Sequence, residues 1–384
     1  MSTATVARPR WVDDEGAALG EVARDFFQTE VVPHFERFDR QKYVDREVWR
    51  KAGALGLLCC EVPEEYGGGG GTFAHDAVVF SEQARSGDTG LGNPVHSGVV
   101  APYLVAYGSE EQKARWLPGM ATGDIIGAVG MSEPGAGTDL KNVRTRATRS
   151  GDHYVLNGSK TFISNGAQCD LIIVVAKTDP AAGRHGISLL VLETADVPGF
   201  RRGRVLDKLG MHSQDTSELF FDDVLVPAEN LLGEEGAGFG MMMRDLPRER
   251  LVIGVNAVAA MERALEESIA YTKTRDVFGA PLFAMQHVKF ELAELATVVR
   301  TSRVFLDDCV EKFIAGTLDP TTASMAKWWL SQNQCDVTDR CLQLFGGYGY
   351  MREYLVSRLY ADARAQKIYG GANEVMKDLI SRSL

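Results

Sequence analysis

The apolar residues of this chain change their spacing twice, and the changes divide it into three regions. From residue 11 to about 126 they recur three and four positions apart, as in Leu19, Val22, Ala23, Phe26 and Phe27, which is the spacing of amphipathic helices. Between about 127 and 235, short apolar runs alternate with turn residues, as β-strands do. Helical spacing returns from about 238. The pattern predicts an α+β chain with an all-α domain over 1–126, a β-barrel or sandwich over 127–237 and a four-helix bundle over 238–384.

Local signals refine this outline. Ser109 and Gln112 have the spacing of a capping box at a helix start. The Asn157-Gly158 and Asn165-Gly166 pairs predict hairpin turns, because both residue types accept positive φ. The strands are expected in HYVLNG, KTFISNG, LIIVVAK, ISLLVLE and ELFFDDVLV, and the late helices over 247–274, 285–315, 320–345 and 371–381. No βαβ alternation and no GxGxxG occurs, which argues against a doubly wound nucleotide-binding domain.

The composition limits the classes of partner that the protein is expected to bind. Of the 384 residues 45% are hydrophobic and 24% are charged, as in an ordinary globular protein. The net charge of −11 disfavours nucleic acid and anionic membranes as partners. The longest apolar run, LIIVVA at 171–176, is far shorter than the roughly 18 residues that span a bilayer.

Cysteine and histidine usage gives no metal site. The six cysteines form no CxxC pair and are expected to be thiols in a reducing compartment. The seven histidines lack HExxH or similar spacing, so no metal is expected. The opening MSTATVARPRWV has no apolar core and is not expected to be a secretory signal. The cytoplasm is the expected location, or the mitochondrial matrix in a eukaryote.

The segment DLPRERLVIG, residues 245–254, contains a glutamate, Glu249, whose role has two possible interpretations. Glu249 stands between Arg248 and Arg250 where a helix is expected to begin. A glutamate in a first turn can simply complement the helix dipole, worth about 0.3–1 kcal/mol. Alternatively it is a base, which requires a dry pocket, because burial raises a carboxylate pKa while exposed arginines lower it.

Eight segments in order resemble the acyl-CoA dehydrogenase family over nearly the whole chain. They are EVPEEYGGGG (61–70), MSEPGAGTDL (131–140), NGSKTFISNGAQCD (157–170), DTSELFFDDVLVP (215–227), GEEGAGF (233–239), TRDVFGAPLFAMQ (274–286), QLFGGYGY (343–350) and IYGGANEVMKDLI (368–380). The resemblance implies an FAD-dependent homotetramer that desaturates an acyl-CoA thioester and passes electrons to an electron-transfer flavoprotein. Removing the α-proton needs a carboxylate base and donors for the thioester oxygen.

The resemblance also implies where the base stands. Many members carry it as a glutamate after the tyrosine of the terminal motif, but this chain has Gly370 after Tyr369. Long-chain and isovaleryl-type members carry it on a helix of the last domain, and Glu249 matches that place. Gly370 is then expected to contribute its N–H to the thioester carbonyl. Arg250, Tyr369, Gly371 and Thr138 are expected beside the substrate.

The remaining assignments concern the cofactor, as the resemblance implies them. The residues expected to contact FAD are Met131, Ser132, Thr138, Phe162, Ser164, Arg275, Phe278, Gln286, Gln343, Phe345, Gly346, Gly347, Ala372 and Glu374. The segment around Arg275 is expected to reach the FAD of a neighbouring subunit, where a guanidinium suits a pyrophosphate. The alternatives are a plain glycine-rich turn at 131–139, barrel core for Phe162 and helix-connecting turns for the late segments.

The function expected is α,β-desaturation of an acyl-CoA, with a tilt toward medium or long chains in fatty-acid oxidation; branched or steroid side chains stay open. One alternative is an oxidase or flavin monooxygenase on the same fold. The other is a non-catalytic scaffold that binds acyl-CoA or flavin and has lost its base at position 370.

Overall fold

The computed structural model describes residues 8–384, which form two compact units. What we call the helical unit contains the described residues up to Thr29, Thr72–Gly87 and Arg250–Leu384. The mixed unit contains Glu30–Gly71 and Asp88–Glu249. The expectation about a secretory signal falls mainly on residues 1–7, which lie outside the described range.

Helices, strands and helices follow one another along the chain, so the predicted fold class is confirmed. The helices are α1 Asp14–Phe26, α2 Phe35–Gln41, α3 Arg46–Ala54, α4 Phe73–Ser86, α5 Asn93–Val95, α6 Ala101–Tyr107, α7 Glu110–Thr122, α8 Gly238–Thr274, α9 Gln286–Ile314, α10 Pro320–Leu344, α11 Leu355–Gln366 and α12 Asn373–Ser381. The strands are β1 Gly127–Gly130, β2 Arg146–Ser150, β3 His153–Ser164, β4 Leu171–Lys177, β5 Ile187–Glu193, β6 Phe200–Val205, β7 Thr216–Pro227, β8 Leu231–Leu232, β9 Asp276–Val277 and β10 Ala280–Pro281.

One helix start was predicted wrongly, and one helix was missed. Helix α8 begins at Gly238 and not at 247. Proline is common at the first helical position, which made Pro247 look like a start, whereas the helix continues through it. Helix α11 was not predicted at all. By contrast, the capping box at α7 is confirmed, since Ser109 Oγ accepts from the N–H of Gln112 and the Gln112 side chain accepts from the N–H of Ser109.

The mixed unit is built on one sheet with the strand order β6-β7-β3-β2-β4-β5-β8, and β1 pairs in parallel with β4. Strand β4 is apolar almost throughout because both of its faces are covered. Leu171, Ile173 and Val175 pack in one cluster with residues of α6 and α7. Ile172 and Val174 pack on the opposite face. Complete burial of such a side chain contributes about 1.5–3 kcal/mol.

Neither Asn-Gly pair makes the predicted hairpin. Asn157 and Gly158 lie inside β3, at an irregularity in its pairing with β7. The amide of Asn157 donates to Asp223 Oδ1 and accepts from the Asp223 N–H, both at 2.9 Å, so it bridges two strands. Asn165 does take a positive φ of 62° in a turn after β3. The next strand, β4, does not pair with β3.

A buried histidine ties helix to sheet in the mixed unit. His96 opens the π-helical segment His96–Val100 and is fully buried. Its Nδ1 accepts from the N–H of Gly127 at 3.0 Å, while Nε2 lies 3.0 Å from the carbonyl of Met120 and donates to it. Burial lowers the pKa of His96 to about 4, so the ring is neutral at neutral pH.

The helical unit has a core formed largely by α8 from Arg250 onward together with α9, α10 and α11. Leu251, Leu306, Leu330 and Leu359 are among its buried residues. Helix α10 begins at Pro320 because Asp319 caps it, accepting from two N–H groups of the first turn. Among residues 8–384, no helix combines the length and hydropathy needed to cross a bilayer.

Candidate active site

Glu249 lies well inside a helix and is half-buried in the mixed unit. About three turns of α8 precede it, whereas the helix dipole acts mainly within the first turn. Simple complementation of the dipole therefore no longer accounts for this residue.

The groups around Glu249 leave it in an environment suited to a base. Its Oε1 accepts a hydrogen bond from the hydroxyl of Tyr103 at 3.2 Å. The neighbouring Arg248 forms a salt bridge with Glu61 and donates from Nε to the carbonyl of Gly98 at 3.1 Å. The guanidinium of Arg248, which is next to Glu249 in sequence, thus pairs with the carboxylate of Glu61.

The segment 131–139 of the mixed unit begins where β1 ends, and a buried ion pair fixes its start. Lys160 Nζ lies 2.8 Å from Glu133 Oε1 and donates to the carbonyl of Met131 at 3.1 Å. Burial lowers the pKa of Lys160 to about 8. Burial also opposes the charged form of Glu133, but the Lys160 ammonium and nearby N–H groups outweigh it and hold the pKa of Glu133 below its usual value. Thr138 is exposed farther along.

Phe162 is not a core residue. It lies at a bulge between β3 and β7, has a φ of 59° and is 69% exposed. The preceding Thr161 donates from its N–H to the carbonyl of Ser132 at 3.0 Å. Met131 and Ser132 therefore lie beside the strand that carries Phe162 and Ser164. A bulge that turns a large aromatic ring into solvent suits a surface for stacking a planar ligand.

A buried lysine of α10 fixes the terminal motif, IYGGANEVMKDLI, by hydrogen bonds. Lys327 of α10 donates from Nζ to the carbonyl of Gly371 at 2.6 Å and to Asn373 Oδ1 at 3.0 Å. Burial, and then the Arg250 guanidinium, lowers the pKa of Lys327 to about 8, against the opposing effect of Glu374. Arg250 itself is buried and donates from Nη1 to Ser324 Oγ at 3.0 Å.

Position 370 has little room for a side chain. Gly370 has a φ of +64°, and a Cβ placed there would lie 2.3 Å from Cδ1 of Ile253. Tyr369 is 39% exposed beside it. Ala372 precedes the first residue of α12, and Glu374 lies exposed in the first turn of that helix. The turn thus presents backbone groups at the place where the resemblance implies a carboxylate in many acyl-CoA dehydrogenases.

Several predicted cofactor residues of the helical unit meet at one cavity of about 470 Å³. Those that line it are Arg275, Gln343, Phe345, Gly346 and Gly347. Phe345 is buried and stacks on Tyr271 with ring centroids 4.2 Å apart. Phe278 and Gln286 are exposed and are not among the lining residues. Phe278 stands at the turn between β9 and β10 and is fully exposed.

These residues fit FAD. The cavity combines an exposed guanidinium, a glutamine and two glycines whose Cβ directions meet no atom within 4 Å, which allows a phosphate to approach the backbone. The mixed unit independently offers the exposed ring of Phe162. Fold and residues together define an FAD-dependent oxidoreductase.

Comparisons with known proteins give the family. Family models described as the N-terminal, middle and C-terminal domains of acyl-CoA dehydrogenase match residues 13–124, 128–224 and 236–384. The mitochondrial long-chain specific acyl-CoA dehydrogenase of Mus musculus is 49% identical over 95% of this chain and 85% of its own. The chain belongs to the acyl-CoA dehydrogenase family.

Solved structures agree. The acyl-CoA dehydrogenase of Geobacillus kaustophilus superposes with a TM-score of 0.95 at 44% identity, covering 98% of this chain and 99% of its own. An acyl-CoA dehydrogenase of Bacillus anthracis complexed with FAD superposes with a TM-score of 0.91 at 31% identity, covering 97% and 67%. The predicted family, enzyme class and cofactor are confirmed.

Sequence reasoning missed the residues that support the site. Tyr103, Lys160, Glu133 and Lys327 were assigned no role. The available signal was weak: Lys160 and Glu133 belong to segments quoted for the resemblance, while Tyr103 and Lys327 lie in helices where nothing distinguishes a supporting residue from core.

Proposed function

We propose that this enzyme desaturates long-chain acyl-CoA thioesters with Glu249 as the base. The observation that carries the proposal is the environment of Glu249: it lies about three turns into α8, it accepts from a buried tyrosine, and the neighbouring Arg248 forms a salt bridge with Glu61. The 49% identity to a long-chain specific enzyme supports the substrate class.

The reaction breaks two C–H bonds and forms a C=C bond. Glu249 takes the α-proton, and the electrons of that bond form the new π bond. When bound, FAD supplies the acceptor for the hydride that leaves the β carbon. The N–H of Gly370 is proposed to stabilise the charge that develops on the thioester oxygen, a contribution of about 2.7–4 kcal/mol for one such donor.

Anaerobic bleaching of the flavin by a series from butyryl-CoA to palmitoyl-CoA tests the proposal. Glu249→Gln should bind FAD and acyl-CoA but bleach about 10²–10⁴-fold more slowly. Asp245→Asn, one turn earlier on the same helix, is the matched control and should bleach readily. Fast bleaching of Glu249→Gln would mean that another group takes the proton. Binding without bleaching in the unmodified enzyme would favour a scaffold, and fast reoxidation by dioxygen would favour an oxidase.

We further propose a homotetramer that works in fatty-acid β-oxidation and passes electrons to an electron-transfer flavoprotein. Three features support an assembly that shares FAD between subunits: the cavity around Arg275, the exposed Phe278 and the exposed Gln286. No disulfide joins any of the six cysteines, all of which lie within the described residues, which suits a reducing compartment. Light scattering of the purified enzyme tests the tetramer, and reduction of an added electron-transfer flavoprotein tests the acceptor.

A further inference from the structure

Two tyrosines and two carboxylates face each other along neighbouring helices of the mixed unit. Tyr103 and Tyr107 are four residues apart on α6, and Asp245 and Glu249 are four residues apart on α8. The hydroxyl of Tyr103 donates to Glu249 Oε1 at 3.2 Å, and that of Tyr107 donates to Asp245 Oδ2 at 2.6 Å. Since residues four apart share one face of a helix, the two bonds form successive rungs.

We propose that Tyr103 is a positioning residue for proton abstraction, and that its hydroxyl orients the carboxylate of Glu249 and stabilises its ionised form. This inference rests on the proposed function, because it assumes that Glu249 is the base.

The surroundings of Tyr103 make it a rigid donor. The side chain is 1% exposed and belongs to the cluster that packs α6 and α7 against the sheet. A glutamate has three side-chain torsions to fix, so a donor held by packing restricts the carboxylate at little further entropic cost. Burial, followed by the charges of Glu249 and Asp245, raises the pKa of Tyr103 well above its usual value. The hydroxyl therefore keeps its proton at neutral pH.

The same stretch of chain contacts α8 at a third point. The carbonyl of Gly98, in the π-helical segment just before α6, accepts from Arg248 Nε at 3.1 Å. Side chains at 245, 248 and 249 are thus all anchored by residues 98–107. Single-turn π-helical insertions occur frequently at functional sites. Here one such segment, His96–Val100, begins the stretch of chain whose contacts position α6 against α8.

The rung at Tyr107 is similar in chemistry but differs in exposure and in its charged neighbours. Tyr107 is half-buried, and the Arg244 guanidinium lies 5.3 Å from its ring centroid. Burial raises the pKa of Asp245, against the opposing effects of the Tyr107 hydroxyl, Arg248 and Arg244. This rung provides a control within the same pair of helices.

The experiment is the pH profile of flavin bleaching in a single turnover with an acyl-CoA that the enzyme accepts. Within the mixed unit, the titratable and charged groups on the elements that pack at Glu249 include Tyr103 and Tyr107 on α6, Arg244, Asp245 and Arg248 on its own helix, and Glu61 paired with Arg248. Donation to a carboxylate favours its charged form, so Tyr103→Phe should move the acid limb to higher pH. A distance of 3.2 Å is long for an O–H···O bond, so we expect a shift of about one pH unit and not more.

Tyr103→Phe should also slow bleaching at the optimum about tenfold, because the carboxylate is less well oriented. Tyr107→Phe should leave the acid limb of the profile in place. Replacement of Tyr103 by a fluorotyrosine, whose more acidic hydroxyl is a stronger donor, should move the limb to lower pH. This isosteric variant tests the proposal even if Tyr103→Phe does not fold.

The two proposals fail separately. If Glu249→Gln abolishes bleaching while the Tyr103 variants keep the wild-type profile, Glu249 is the base and Tyr103 is only a packing residue. If Glu249→Gln bleaches normally, the proposed function fails first. In the Glu249→Gln background, Tyr103→Phe should have no further effect on the residual rate. An equal effect in both backgrounds would overturn the positioning role.

Discussion

A methyl group of Ile253 helps keep a side chain out of position 370, and two substitutions can measure this. A Cβ at Gly370 would lie 2.3 Å from Cδ1 of Ile253, whereas the next atom, Cγ1, lies at 3.7 Å, an ordinary contact. Ile253→Val removes Cδ1 and retains the rest of the side chain at Cβ and Cγ. The test is therefore Gly370→Ala, made both in the native chain and in the Ile253→Val variant.

Two costs add in the native chain. Alanine in the left-handed region, where Gly370 lies at φ +64°, costs about 1–2 kcal/mol and is independent of Ile253. Driving the buried Ile253 from its rotamer adds about 0.5–1.5 kcal/mol. Ile253→Val alone should cost about 0.5–1.5 kcal/mol. We therefore expect Gly370→Ala to destabilise the native chain by roughly 1 kcal/mol more than it destabilises the Ile253→Val variant.

Thermal unfolding of the flavin-loaded proteins is the assay, with about 2–4 °C expected for each kcal/mol in a unit of this size. All four proteins of the double-mutant cycle should be compared at equal flavin content, because bound cofactor raises Tm. Losses that add within about 0.3–0.5 kcal/mol would refute the role of the methyl group. The backbone would then be the sole obstacle to a carboxylate at this position.

Three further predictions concern other parts of the molecule. The folded-state pKa of His96 is about 4, against an ordinary 6.5. The neutral ring therefore contributes its full stabilisation above pH 6.5, and the free energy of unfolding should fall by up to about 3 kcal/mol as the pH drops toward 4. His96→Gln should lose this pH dependence in thermal unfolding. Lys160→Met leaves the Glu133 carboxylate buried without its ammonium, so it should lower stability by about 3–5 kcal/mol and reduce flavin content; adding Glu133→Gln should recover part of both, and no recovery would argue against the ion pair. Arg275→Met should weaken FAD retention during gel filtration, while the nearby exposed Lys273→Met should not; equal losses would point to a general charge effect.

Hydrophobic periodicity located an element correctly where capping or proline residues also mark its ends. Helix α10 begins at the predicted Pro320, because Asp319 and Pro320 are respectively a cap and a first-turn residue. The start of α8 was misplaced because Pro247 carries a similar signal inside a helix. The Asn157-Gly158 pair shows the same limit, since a turn dipeptide can also form a bulge when an opposing residue such as Asp223 satisfies its amide.

The site residues also fall into two groups: those that sequence motifs indicate, and those that only the tertiary contacts reveal. The motifs indicated Glu249, Arg275 and the glycines of the terminal segment. They could not indicate Tyr103, which is 146 residues from Glu249 in sequence, or Lys327, which is 44 residues from Gly371. Such pairs depend on which helices pack together, and neither residue type nor spacing encodes that.

The two places available for a base differ in how firmly the chain can hold a side chain there. Residue 249 lies within the hydrogen-bond ladder of α8, so its Cα–Cβ direction is fixed, and Tyr103 provides a further anchor. Residues 370 and 371 have φ values of +64° and +94°, where glycine alone is unstrained. A glutamate at 370 would combine a mobile side chain with a strained backbone. If Glu249 is the base, as proposed, that turn is free to be glycine and can use its backbone amide as a donor, while Lys327 fixes the adjacent carbonyl of Gly371.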